Sequence, residues 1–102
     1  MPIKPYYDDY WVYLPTADGA FACAGDLDDG PVRDALIAAG SFLYKAENGV
    51  IHVRLERKVR GSADGYWVAY KRRDGRLHKT YLCEASALDP YNLYAAARRL
   101  LS

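Results

Sequence analysis

The sequence predicts an α+β fold: a single domain, residues 1–102, with a mostly antiparallel sheet of about six strands and two helices on one face. Three observations predict it. Asn48-Gly49 and Asp74-Gly75 each separate β-prone runs, and such pairs suit a type I′ hairpin turn because both central residues need φ > 0. From Val50 to about Arg60, apolar and polar residues alternate, as in a strand with one buried and one wet face. Residues 31–39 and the stretch after Asp89-Pro90 place apolar side chains at helical spacing.

Taken in order, residues 1–9 read as an irregular lead-in. Tyr10–Leu14 and Ala20–Ala24 are β-prone and flank the turn chemistry of residues 15–19, so they predict a first hairpin. An acidic loop, Gly25–Gly30, leads to a helix over Pro31–Ala39. Pro31 suits a first turn, Asp29 can cap it and Gly40 can stop it. Ser41–Ala46 is the next strand, and Asn48-Gly49 turns it into the alternating strand. Gly65–Cys83 forms a second hairpin about Asp74-Gly75. Leu93, Ala96, Ala97 and Leu100 stripe the C-terminal helix, and Arg98 and Arg99 suit its C-terminal end. The expected core comprises Leu36, Ile51, Val53, Leu55, Trp67, Leu93, Ala97 and Leu100, with Trp11, Tyr66 and Tyr81 also expected inside.

No apolar run approaches the roughly 18 residues of a membrane span, and no signal peptide follows Met1, so a cytoplasmic protein is expected. Cys23 and Cys83 stand apart, without ligand spacing, and read as reduced thiols packed as small hydrophobes. No metal or cofactor is expected. Charge is segregated along the chain. Residues 1–44 hold two basic and seven acidic side chains, and residues 45–79 hold ten basic and four acidic. Such segregation suits a polyanion, or mutual neutralisation within the fold.

The second hairpin concentrates the basic charge. A two-residue loop sets Arg73 opposite Arg76, Arg72 opposite Leu77, Tyr70 opposite Lys79, Val68 opposite Tyr81 and Trp67 opposite Leu82. Lys71, Arg72, Arg73, Arg76, His78 and Lys79 then crowd the tip. Arg54, Lys58 and Arg60 on the preceding strand extend the same cationic surface. Phosphates draw Lys and Arg, and a β-ribbon fits the DNA major groove. The interleaved aromatics suit stacking on single-stranded bases. The competing reading is a solvated tip whose charges blunt the sheet edge. Ten Tyr and two Trp also suit a protein-interaction surface, or the core of a small sheet. His52 and His78 sit in no catalytic spacing, and no phosphate loop, deaminase signature or paired-carboxylate motif occurs.

Ser41-Phe42, Gly49, Arg54, Glu56, Lys58, Arg60-Gly61, Tyr66-Trp67, Ala69-Tyr70, Leu77, Lys79, Tyr81-Leu82, Leu88 and Leu93 follow a spaced pattern. In that pattern the chain resembles the short N-terminal domain of some large bacterial LuxR/MalT-type transcriptional regulators. It departs from them at Leu55, at Cys83, where that group has Gly, and at Asp89, where it has Thr. The resemblance implies a regulatory setting and no particular activity. The order of strand, basic turn, strand and helix is similar, more distantly, to the arm-type DNA-binding domains of integrases.

The expectation is therefore a non-enzymatic domain that binds nucleic acid through the basic hairpin, residues 65–83, in a regulatory setting. The alternative is a protein-interaction or self-associating module that uses an aromatic and Arg surface.

Overall fold

The computed structural model describes residues 3–56 and 65–101. The strands are β1 (Tyr6–Tyr7), β2 (Val12–Pro15), β3 (Phe21–Gly25), β4 (Ser41–Ala46), β5 (Gly49–Glu56), β6 (Tyr66–Arg73) and β7 (Arg76–Glu84). Helix α1 (Gly30–Ala39) lies between β3 and β4, and a 3₁₀ turn at Ala85–Ala87 leads to α2 (Pro90–Leu101). All the strands form one sheet in the order β3-β2-β1-β4-β5-β6-β7. β1 and β4 run parallel, and the other neighbours are antiparallel.

The sheet thus has seven strands, one more than the sequence suggests. The addition is β1, inside the stretch expected to be irregular. Two residues are too few to show alternation. What makes them a strand is a remote partner: β1 fills the gap between β2 and β4, and the Leu43 N–H donates to the Pro5 carbonyl at 2.9 Å.

Both helices pack on one face. Strand residues Tyr7, Val12, Phe42, Tyr44, Ile51, Val53, Leu55, Trp67, Ala69 and Cys83 join Val32 and Leu36 of α1 and Leu93, Ala96, Ala97 and Leu100 of α2 in one buried cluster. Gly40 stops α1 in the left-handed region (φ 79°), and its N–H donates to the Leu36 carbonyl. Asp29 precedes α1 without a side-chain capping bond. Asp89 does cap α2, accepting the Asn92 N–H on Oδ1 at 2.8 Å. The Arg33 guanidinium ties α1 to the 3₁₀ turn by donating to the Ser86 carbonyl at 3.0 Å.

The hairpin of β6 and β7 turns through Asp74 (φ 53°) and Gly75 (φ 76°), the left-handed pair that type I′ geometry requires. Its register is as expected from Arg73↔Arg76 to Val68↔Tyr81. Beyond that the ladder shifts, and Trp67 pairs with Cys83 instead of Leu82. An extra residue in β7 makes a bulge. It turns Cys83 to the helix-covered face, where burial pushes its thiol up to about 11. Cys23, expected inside, is exposed.

All eight residues first named for the core are buried. The three added aromatics are not. Trp11 is 48% and Tyr81 58% exposed, and Tyr66 is half-buried. Tyr66 and Tyr81 lie on the face without helices, where they pack on each other and no described element covers them. No helix among the described residues is long and apolar enough to cross a membrane.

Leu93 is fully buried between α2 and the sheet. Leu93→Ala is expected to lower stability in urea denaturation by about 2–5 kcal/mol. An unchanged midpoint would mean that α2 is not docked.

Tyr44 donates its hydroxyl to Asp9 Oδ1 at 2.5 Å, and Tyr7 donates to the Asp9 carbonyl at 3.1 Å. Burial, then the Asp9 carboxylate, pushes Tyr7 up to about 12, and burial and the same carboxylate raise Tyr44. The ordinary pKa of tyrosine, as in the unfolded chain, is about 10. The stability from both phenols is therefore complete below about pH 10 and is lost as pH rises through the folded values. Alkaline denaturation should show stability falling across that window as phenolate absorbance appears. A flat stability there would contradict the burial of these phenols beside Asp9.

Candidate nucleic-acid interface

The helix-free face is built by alternation. Side chains at every second strand position point away from the helices. Pairing places Phe21 and Cys23 of β3, Tyr13 of β2 and Tyr6 of β1 on this side. Leu43 and Lys45 of β4 follow, then His52, Arg54 and Glu56 of β5. Val50 of β5, Tyr66, Val68, Tyr70 and Arg72 of β6 and Leu77, Lys79, Tyr81 and the exposed Glu84 of β7 complete it. Val68 is buried yet lies outside the helix-side cluster, covered by its neighbours on this face.

Two features stand on that surface. Toward β3, Tyr6 stacks on Tyr13 with centroids 4.6 Å apart, Phe21 meets Tyr6 edge-on at 4.9 Å, and the Lys45 Nζ sits 3.8 Å from the Tyr6 ring centre. Toward β7, a groove of about 610 Å³ is lined by Lys4, His52, Arg54, Tyr70 and Leu77. Burial, then the charges of Lys4 and Lys71, lowers the His52 pKa, so its imidazole is neutral near pH 7. It therefore offers a hydrogen bond or a stacking edge rather than a charge.

Glu56 lies beyond the groove, at the end of β5 and opposite Tyr66. The Tyr66 hydroxyl donates to its Oε2 at 3.3 Å, the Tyr70 hydroxyl donates to Oε1, and Lys79 Nζ pairs with Oε1 at 3.4 Å. The Tyr70 bond, more than the Lys79 charge, holds the Glu56 carboxyl below the usual carboxylate range. The exposed Tyr81 ring leans on Tyr66, with centroids 5.6 Å apart.

The basic residues named from sequence divide into three groups. Arg54, Arg72 and Lys79 share the helix-free face. Lys71, Arg73, Arg76 and His78 alternate to the opposite side of the ribbon. There Lys71 donates to the Val50 carbonyl at 3.0 Å, and Arg73 donates to the Leu100 carbonyl at 3.1 Å, at the C-terminal end of α2, where a cation is favourable. Lys58 and Arg60 lie outside the described residues. Sequence reading passed over Lys4, Lys45, Tyr6 and Tyr13. The nonlocal pairing of β1 with β2 and β4 brings Tyr6 and Tyr13 to this face beside Lys45, which alternation in β4 already places there.

Acidic groups concentrate elsewhere. Asp8 and Asp9 sit in the β1–β2 loop, and Asp26, Asp28 and Asp29 in the loop before α1. The charges of Asp9, Asp26, Asp28 and Asp8 act on Tyr7, which faces the helices. Between described residues one ion pair forms, Lys79 with Glu56, and it does not reach the acidic N-terminal half. A second exposed aromatic group lies away from the sheet surface. Tyr10 (75% exposed), Tyr91 (83%) and Tyr94 (57%) line a cleft with Asp9 and Pro90.

No protein-family model, curated protein or solved structure matches the chain. The regulator resemblance rests on its motif residues alone.

Tyr70→Phe removes the largest cause of the lowered Glu56 pKa. Carboxyl titration by NMR should show Glu56 ionising at higher pH in this variant. An unchanged midpoint would mean that the Tyr70 hydroxyl does not hold the carboxylate.

Proposed function

We propose that the helix-free face binds single-stranded nucleic acid. The observation that carries this reading is charge and ring placement on one surface. Arg54, Arg72, Lys45 and the nearby Lys4 lie among exposed or half-exposed rings, while the Asp clusters sit in loops beside the helices. Cations neutralise phosphates and release counterions, and aromatic rings stack on bases of any sequence. A sheet face open to solvent fits a flexible strand better than a duplex groove, because its rings need splayed bases to stack on. This retains the expectation of nucleic-acid binding and moves its centre from the hairpin tip to the sheet face. Arg73 instead secures α2. The resemblance to regulator domains supports a transcriptional setting.

The exposed group of Tyr10, Tyr91 and Tyr94 favours a second reading, a protein-interaction or self-associating surface. Tyr and Trp are enriched where interfaces concentrate their energy.

Fluorescence anisotropy with labelled single-stranded oligonucleotides separates the two readings. The parent should bind at low salt and weaken steeply as salt rises. Arg54→Ala with Arg72→Ala should weaken binding and flatten the salt slope by about 0.7 log units per lost phosphate contact. Tyr81→Ala should cost about 1–3 kcal/mol of binding if a base stacks there. A parent that binds no oligonucleotide at about 50 mM salt, where even non-specific binders gain affinity, would overturn the proposal and leave the aromatic cleft as the better candidate.

A further inference from the structure

We infer that Glu56 makes the helix-free face favour bases with an exocyclic amino group, so that cytosine binds in preference to thymine. This rests on the nucleic-acid reading above and deepens it to base choice.

A carboxylate repels phosphate, so its place beside Arg54 and Lys79 calls for a partner other than the backbone. Glu56 is held rigidly enough to recognise one. Two tyrosine hydroxyls from β6 and the Lys79 ammonium from β7 fix its orientation. An ionised carboxylate offers about four acceptor sites. Oε1 takes both Tyr70 and Lys79, whereas Oε2 takes only the longer bond from Tyr66. Oε2 therefore has acceptor capacity left, and the side chain is 25% exposed to whatever lies on the face. Hydrogen bonding also keeps it ionised, hence purely an acceptor.

A stacking platform lies close by. Tyr81, two strands from Glu56, presents an exposed ring packed against Tyr66. Tyr81 lies in the row of Val68 and Arg54, and Tyr66, whose hydroxyl donates to Oε2 at 3.3 Å, bridges it to Glu56, so a base laid over the Tyr66–Tyr81 pair turns its edge toward the carboxylate. Cytosine and thymine are the same size and differ at this edge. Cytosine carries an amino donor where thymine carries a carbonyl acceptor. The carboxylate accepts from the first and repels the second.

Anisotropy with short oligo(dC), oligo(dT) and an oligomer of cytosine methylated twice on its exocyclic amine tests this. The parent should bind oligo(dC) about fivefold more tightly, the worth of one ordinary hydrogen bond. The dimethylated oligomer should bind like oligo(dT), a control that needs no change in the protein. Glu56→Gln, checked for folding by circular dichroism, should bring the dC and dT affinities together. It should also strengthen dT binding, because Lys79 is released to phosphate. Equal affinities in the parent, or a dC preference that survives either dimethylation or Glu56→Gln, would overturn the role of Glu56 while leaving nucleic-acid binding intact. Failure of the parent to bind any of the three would overturn the nucleic-acid reading itself, and this inference with it.

Discussion

The fold depends on the burial of Trp67. Its indole is fully enclosed, meets Phe42 of β4 edge-on at 5.3 Å and donates from Nε1 to the Ala85 carbonyl at 3.2 Å. One side chain thereby ties β4 and β6 to the 3₁₀ turn that launches α2. The bulge near Leu82 follows from the same constraint. Without the extra residue, strict alternation would put Cys83 on the open face, and the chain would leave β7 on the wrong side to meet the indole. An indole N–H buried without an acceptor is costly, so the path of residues 83–88 is tightly specified.

One-sided burial then explains the surface. With both helices committed to the Trp67 side, the other face has only a thin apolar floor, Val68 and its neighbours, and packing places few demands on it. Cations and rings accumulate there with Glu56 and Glu84, while Asp8, Asp9, Asp26, Asp28 and Asp29 gather in loops. Self-repulsion is limited because Glu56 neutralises Lys79 and Arg73 is drawn away to the end of α2. The basic ribbon therefore does two jobs. One row of its charges holds the fold, and the other faces solvent.

What was legible in the sequence was local. The Asp74-Gly75 turn set the hairpin register because two residues with φ > 0 admit one geometry, and the helical stripes identified the buried residues of α2. Gly40 marked the end of α1 for the same conformational reason. The rest was hidden because it is nonlocal. β1 has too little length to carry a pattern, and its partners are β2 and a parallel strand more than thirty positions away. The bulge depends on a carbonyl presented by the turn after β7. Tyr6 and Tyr13 meet Lys45 on the candidate face only through β1. Tyr81 and Trp11 have the composition of core residues, and only the absence of a covering element leaves them exposed.

The central claim is that binding occurs on the helix-free face. Its most direct test is side-chain NMR during titration with a single-stranded oligonucleotide. The account predicts shifts of the Arg54 and Arg72 Nε–H resonances and of the Tyr6, Tyr70 and Tyr81 rings, with the Trp67 indole and the Tyr91 and Tyr94 rings unmoved. Shifts confined to Tyr10, Tyr91 and Tyr94, with Arg54 and Tyr81 unchanged, would contradict it.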